Sequence, residues 1–355
     1  MSMLIENSGI LTSVQDEGRF GYEQYGVSPS GPMDRRAMHI ANVLVGNPIG
    51  ESCLESTIKG PAIRFTAPAV VAVTGADCAP ALDGKPVPMC AALETKAGSL
   101  LALGFVKNGC RSYIAVAGGI KVPVLMNSKC TMLGKGFGGL DGRKLAKGDV
   151  LETEKEIASL PNMSARRAQC ETYAGEREIR VIMGPQDDMF TQKGLDTFLG
   201  SVYTVAKEFD RQGYRLEGPL IEHKTDGNII SDGIVNGSIQ VPTDGRPIIM
   251  LAEHQTVGGY TKIATVITAD LPVLGQCKAG DRIRFRAVTV DEAQDVLAKE
   301  RAQLEALEKR IAAPAPTAPA PRHDGQSAVK HKPPVDMKVT VNGRVYTVRV
   351  EKTEE

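Results

Sequence analysis

The chain has 355 residues, enough for two domains with appendages. Lysine plus arginine equals aspartate plus glutamate at 42 each, so no net field draws it to nucleic acid or anionic lipid. Tryptophan is absent, which argues against a stacking platform for bases, and no apolar run approaches membrane-spanning length. Residues 1–7, Met-Ser-Met-Leu-Ile-Glu-Asn, lack the basic and apolar regions of a signal peptide, so a cytoplasmic location is expected. The seven cysteines, at 53, 78, 90, 110, 130, 170 and 277, include no C-x-x-C. That spacing fits neither a disulfide scaffold nor a zinc site.

In chain order, residues 4–28 are glycine-rich, and Gln15, Asp16, Glu17 and Arg19 fall between Gly9 and Gly21. Ser30-Gly31-Pro32 is expected to open a helix, since Ser or Gly can cap and proline suits the first helical position. Ala37, Ile40, Ala41 and Leu44 give it one buried stripe, and Gly46-Asn47-Pro48 stops it. Asp34 falls in the first turn, where a dipole role and a catalytic role are both open. From Glu55 to Glu152 the pattern is mainly β, with apolar runs at 62–65, 69–73, 100–103 and 113–117 separated by glycine turns. Many short strands of this kind indicate a sandwich or barrel. A basic residue, a glycine turn and a strand start recur at Lys96, Lys147 and Lys278, consistent with two β domains of related build.

Gly134 to Gly139 formally satisfies G-x-G-x-x-G, but no helical pattern follows and no βαβ unit surrounds it, so a dinucleotide site is rejected. Residues 153–177 are polar without a clean period and read as a link between domains. A second β region starts at Ile179. Residues 190–199 are expected to form a short helix, and 202–206 and 234–241 to form strands. Glu208-Phe209-Asp210-Arg211 is a polar cluster whose arginine fork could grip a carboxylate. In 240–260, a turn at 243–247 feeds a buried strand at 248–252, which ends in Glu253, His254, Gln255 and Thr256 before Gly258-Gly259-Tyr260. A strand ending in such groups presents them to a cleft.

Residues 291–311 read as a long helix with a capping box from Asp291 and Gln294. The Pro/Ala-rich stretch 312–336 reads as an extended spacer. An alternating hairpin around Asn342-Gly343 follows it. Two strands alone are marginal in water, so 312–355 is expected to be mobile unless a partner completes the sheet. The sequence has no G-x-S-x-G, H-E-x-x-H or P-loop motif, and only His254 of five histidines sits among other polar groups. A metal in this chain is therefore not expected. The carboxylates, amides and arginines that remain can hold a planar amide or carboxylate and move a proton.

Several blocks resemble one family: S-V-Q-D-E-G-R-F-G (13–21), G-V-S-P-S-G-P-M-D (26–34), A-N-V-L-V-G-N (41–47), E-F-D-R-Q-G-Y-R-L-E-G (208–218), and Q-V-P-T-D-G with E-H-Q-T-V-G-G-Y (240–260). These are similar to the KipA family, also called allophanate hydrolase subunit 2 or the biotin-dependent carboxyltransferase family. The family includes one of the subunits of bacterial 5-oxoprolinase and the second half of the urea carboxylase carboxyltransferase. The resemblance spans roughly 3–290, with Glu253 where an aspartate is expected. It implies a mainly β fold of two barrel or sandwich lobes, the second cyclophilin-like, with a short helix in the first and a long C-terminal helix. The expected division is 1–152, a link at 153–177, 178–290, a helix at 291–311, a spacer at 312–336, and a truncated biotinyl-like hairpin at 337–355.

It further implies a subunit that works with a KipI-like chain and with an ATP-using one, either a biotin carboxylase or a LamB/YcsF-like subunit. The first reading of activity is carboxyl transfer from carboxybiotin, carried elsewhere, to a urea-like amide. The alternatives are ATP-dependent opening of 5-oxoproline and a non-enzymatic binder of a KipI-like protein. In this picture Arg19 and Arg211 clamp oxygens, Gln240 and Gln255 bind the amide, Glu253 or Asp244 accepts a proton, and Tyr260 closes the pocket. Gln15, Asp34, Asp210 and Thr256 complete the set expected to bind substrate. A family-based role for the glycine loop at 134–139 is a flap over the site.

Overall fold

The computed structural model describes residues 1–313, 335–341 and 344–350, in two units, Met1–Ala313 and Pro314–Glu355. The first unit is mainly β. A seven-stranded and a five-stranded sheet form a sandwich from residues 2–153, and an eight-stranded sheet takes up 177–287. In that last sheet Arg177–Met183 pairs with both Arg282–Ala287 and Val257–Val266, closing seven strands into a barrel, with Asn228–Gly233 added at the edge.

Strand alternation explains how the sandwich is filled. On Ala69–Gly75, Val71 and Val73 join the core between the two sheets, while Val70 and Ala72 face the other way. Both faces are covered, so this strand reads as a continuous apolar run. On Arg111–Val116, Ile114 and Val116 enter the sandwich core, while Tyr113 and Ala115 face outward onto helix α1, Arg35–Leu44. The registers Leu11↔Thr57↔Arg111 and Ser13↔Glu55↔Tyr113 place Glu55, Thr57, Arg111 and Tyr113 on this same outward face. Polar residues inside an apolar strand are thereby collected on one side of the sheet.

Helix α1 begins later than expected. Its cap is Asp34, whose side chain accepts from Ala37 N at 2.9 Å, not Ser30. Ser30 is otherwise engaged: its amide donates to Ala252 O at 3.0 Å, and its backbone is left-handed at φ 57°. Helix α2 is Gln192–Gly200 and α3 is Leu271–Gly275. Helix α4, Val290–Ala312, carries its capping box on Thr289 and Glu292 rather than on Asp291 and Gln294, and buries Leu307 and Ile311 beside α1. Residues of the expected link at 153–177 are packed onto the first body. Ile157, Leu160, Met163 and Ala168 lie against the α1 core, and Arg166 Nη1 donates to Leu44 O at 3.0 Å.

Cys90 and Cys170 are bonded, with Cα atoms 5.7 Å apart, against the expectation from spacing; the other five cysteines are buried thiols. Tertiary packing of this segment brings the pair together across 80 residues. The second unit holds a hairpin, Val335–Val341 with Arg344–Val350. Its expected turn at Asn342-Gly343, and residues 314–334 of the spacer expected at 312–336, lie outside the described residues. No helix among the described residues is long and apolar enough to cross a membrane.

Asp34 is 1% exposed, and burial raises its carboxyl to about 6, against the opposing hydrogen bonds from Ala37 N and Gln276 Nε2. A carboxyl raised in the folded state binds more protons there than when unfolded, so its contribution to stability falls as pH rises from about 4 to about 6. Asp34→Asn keeps a capping oxygen but cannot titrate. The stability of the wild type relative to this variant is predicted to drop across that window by on the order of 1–3 kcal/mol. Denaturant midpoints at pH 4, 5, 6 and 7 check this, and a flat difference contradicts it.

Candidate active site between sandwich and barrel

Arg211 follows the barrel strand Val202–Phe209 and is 5% exposed. Its Nη1 pairs with Glu55 of the sandwich, and its Nε donates to Glu253 Oε1 of the barrel at 2.7 Å. Nη2 donates to Gln15 Oε1 and Ser30 Oγ, both at 3.3 Å, and to Gly31 O. Burial alone would lower the affinity of this guanidinium for its proton, but Glu55 and Glu253 outweigh that and raise it. Glu55 is in turn fixed by Met33 N at 2.8 Å and Tyr113 OH at 2.6 Å, both donating to Oε2. One cation thus joins two carboxylates from the two β bodies.

Glu253 leaves the short strand Ile248–Met250 and faces the turn Leu133–Lys135. Leu133 N donates to Oε1 at 3.3 Å and Gly134 N to Oε2 at 3.0 Å. The glycine-rich segment therefore does reach the site, as backbone donors to a carboxylate. A cavity of about 610 Å³ opens here, lined by Ser28, Thr57, Arg111, Met132 to Lys135, Phe209 to Gln212 and Glu253 to Val257, among others. This volume suits a small ligand. His254 is 2% exposed and burial lowers its pKa below the usual imidazole value, with the Gln255 carbonyl at 2.7 Å opposing; it is neutral near pH 7. Amides, hydroxyls, guanidiniums and a carboxylate thus converge on one space, able to hold a planar polar molecule and move a proton.

The expected site residues divide into those gathered here and those held elsewhere. Arg211 bonds directly to both Glu253 and Gln15, and Asp210, Gln255 and Thr256 line the cavity. Asp210 Oδ1 also closes its own turn by accepting from Gln212 N at 2.7 Å. Gln240 sits behind Gln255, accepting from its Nε2 at 3.2 Å. Asp34 belongs to the buried network, its amide donating to Tyr113 OH at 2.7 Å, and does not line the cavity. Arg19 is fully buried, 4.7 Å from the centre of the Phe137 ring and bonded to Cys130 O, and also lies off the lining.

Asp244 and Tyr260 are not part of it. Asp244 is an exposed turn residue whose Oδ1 accepts from Arg246 N at 3.1 Å, as aspartate does in turns. Tyr260 lies four residues into the strand Val257–Val266, paired with Asn228 and 41% exposed, so the strand carries it away from the cavity. Sequence reasoning missed Glu55 and Arg111. Their signal was present as a single charged residue in each of the runs Cys53–Thr57 and Arg111–Val116, facing the same side.

Removing one partner from a buried ion pair leaves the other uncompensated, at a cost of about 3–5 kcal/mol. Glu55→Ala is predicted to destabilise the protein by about that amount. Lys121→Ala, which breaks the exposed pair to Glu152 at 3.0 Å, is predicted to cost far less, because solvent screens that pair. Chemical denaturation of both variants checks this; equal costs contradict it.

Residues 25–287 match the family described as carboxyltransferase domain, subdomain A and B. The chain is similar to a 5-oxoprolinase subunit of Escherichia coli (strain K12), 38% identical over 307 residues, which are 86% of this chain and 98% of that protein. It is also similar to a putative urea carboxylase of Emericella nidulans, 35% identical over 299 residues, 81% of this chain but 24% of that protein. Among solved structures, the Kluyveromyces lactis urea carboxylase superposes with a TM-score of 0.80 at 27% identity, covering 98% of this chain and 32% of that one. The K. lactis urea amidolyase gives a TM-score of 0.80 at 29% identity, covering 86% of this chain and 20% of that one. The chain thus spans a third or less of these larger urea enzymes. It belongs to the carboxyltransferase domain family and is a carboxyltransferase-type chain related to this 5-oxoprolinase subunit and to the urea carboxylases.

Proposed function

We propose that this chain is the amide-holding subunit of a multi-chain enzyme, with ATP consumed on a partner chain of biotin carboxylase or LamB/YcsF-like type and a KipI-like chain completing the assembly. The observation that carries this is the Arg211 guanidinium fixed between Glu55 and Glu253 at the wall of the cavity. Gln212, Gln255 and Thr256 supply the donors and acceptors that a planar amide requires. Glu253 is the proton acceptor. Its Oε2 accepts from Gly134 N and has lone-pair capacity to spare, while Arg211 holds Oε1. His254, neutral and buried, adds a second polar wall without adding charge.

The cyclic amide 5-oxoproline is the first choice of substrate, because the likeness to the E. coli subunit runs through 98% of that protein. A second reading, carboxylation of urea, is favoured by one specific observation. The likeness to the K. lactis urea carboxylase covers 98% of this chain, while Met1–Ala313 makes up only 313 of its 355 residues, so it extends into the unit that holds the hairpin. In that reading the exposed amides of Gln212 and Gln255 fit the ureido ring of biotin, itself a planar amide. Biotin would supply an activated carboxyl group when bound.

With KipI-like and LamB/YcsF-like partners, the assembly is predicted to hydrolyse ATP in response to 5-oxoproline. Glu253→Gln is predicted to lower kcat by about 10²–10⁴-fold, the usual contribution of a positioned general base. Asp244→Asn and Tyr260→Phe, at positions outside the cavity, are predicted to leave it unchanged. Wild-type turnover by Glu253→Gln contradicts its assignment. Urea-dependent turnover with a biotin carboxylase, and none with 5-oxoproline, would exchange the two substrate readings.

A further inference from the structure

The cavity contains a pair of side chains that the amide reading leaves unused. Thr57 ends one strand of the five-stranded sheet and Arg111 begins its neighbour; they are direct register partners, so their side chains stand side by side on one face. Both line the cavity. Arg111 is 2% exposed, and its Nη1 donates to Tyr214 OH at 2.7 Å and to Gly275 O at 2.6 Å. Its Nε and the Thr57 Oγ1 are both buried and, among the described residues, have no hydrogen-bond partner. Buried polar atoms in folded proteins are nearly always paired, and an unpaired one calls for an explanation.

The nearest carboxylate does not satisfy Arg111. Glu55 Oε1 is 3.9 Å from Nε, beyond hydrogen-bond range, and is paired with Arg211. Arg211 thus takes the hydrogen bonds of the acidic partners, while Arg111 keeps only the longer ion pair to Glu55, and its hydrogen-bond acceptors, Tyr214 OH and Gly275 O, are both neutral. An unpartnered cationic N–H and an unpartnered hydroxyl on neighbouring residues that both line a cavity are matched best by an anionic oxygen, because charge-assisted bonds are the stronger class. Guanidinium groups pair with carboxylates in particular.

We propose that Thr57 Oγ1 and Arg111 Nε form a subsite for a carboxylate of the substrate, so that the cavity selects an amide bearing an acid group over a neutral one. This deepens, and rests on, the reading of the cavity as an amide site. It assigns a ligand group to two residues on the sandwich side, opposite the amide-binding side chains of the barrel.

Calorimetric titration of the full chain with 5-oxoproline and with 2-pyrrolidinone, the same lactam without its carboxylate, tests it. The wild type is expected to bind 5-oxoproline at least about tenfold more tightly than 2-pyrrolidinone, the scale of a hydrogen bond to a charged group. Thr57→Val, nearly the same shape, is expected to lose roughly tenfold for 5-oxoproline and nothing for 2-pyrrolidinone. Its Tm should be equal or higher, since the hydroxyl has no partner among the described residues. Thr57→Ser should restore the wild-type preference. Unchanged 5-oxoproline affinity in Thr57→Val, or equal losses for both lactams, would overturn the subsite while leaving the amide reading standing. If the wild type binds neither lactam, both fall.

Discussion

The buried guanidinium of Arg211 is the constraint on which the site depends. It lies on the barrel, yet most of its partners, Gln15, Ser30, Gly31 and Glu55, come from the sandwich or the segment that leaves it. A buried charge of this kind costs desolvation energy that only good geometry offsets. The geometry here is complete: every nitrogen of the fork has an acceptor, and Glu55 has Tyr113 and Met33 on its other oxygen. Such a pairing adds little net stability, but it fixes how the two β bodies meet, and their meeting makes the cavity.

A second line of contacts supports the first. Gln276 of the barrel accepts from the amides of Cys110 and Arg111 at 3.0 Å each and donates to Asp34 Oδ2 at 2.7 Å. Arg111 crosses in the same region to Tyr214 and Gly275. These bonds run from the sheet face carrying Glu55 and Thr57 to the barrel, so the cap of α1, the sheet and the cavity wall form one connected polar seam. Its members are neighbours in space through the two-residue repeat of the strands.

Much of the fold was legible because it rests on local rules. Ala62–Phe65, Leu100–Ala102 and the long C-terminal helix lie where apolar pattern and turn chemistry place them, and the mainly β architecture follows from the spacing of the breakers. The blocks around Arg211 and Glu253 also identified the family, which the match over residues 25–287 bears out. What escaped depends on tertiary choices. Ser30 could have capped α1 but is engaged by Ala252 and Arg211, so Asp34 does it. The packing of the expected link at 153–177 was not legible, because its apolar residues pack singly, without a period, onto a core formed by others. Asp244 and Tyr260 share a motif with Glu253, but a turn and a strand carry them to other surfaces. Glu55 and Arg111 were hidden for the opposite reason, as lone charges inside strands that read as ordinary sheet.

The central claim, that Arg211 couples carboxylates from the two bodies, is tested most directly by a double-mutant cycle on unfolding free energy. It compares Glu55→Gln, Glu253→Gln and the double variant. If both act through the same guanidinium, the two effects are non-additive, with a coupling of about 0.5–3 kcal/mol. Strict additivity, within about 0.3 kcal/mol, would mean that the carboxylates act independently and would contradict the claim.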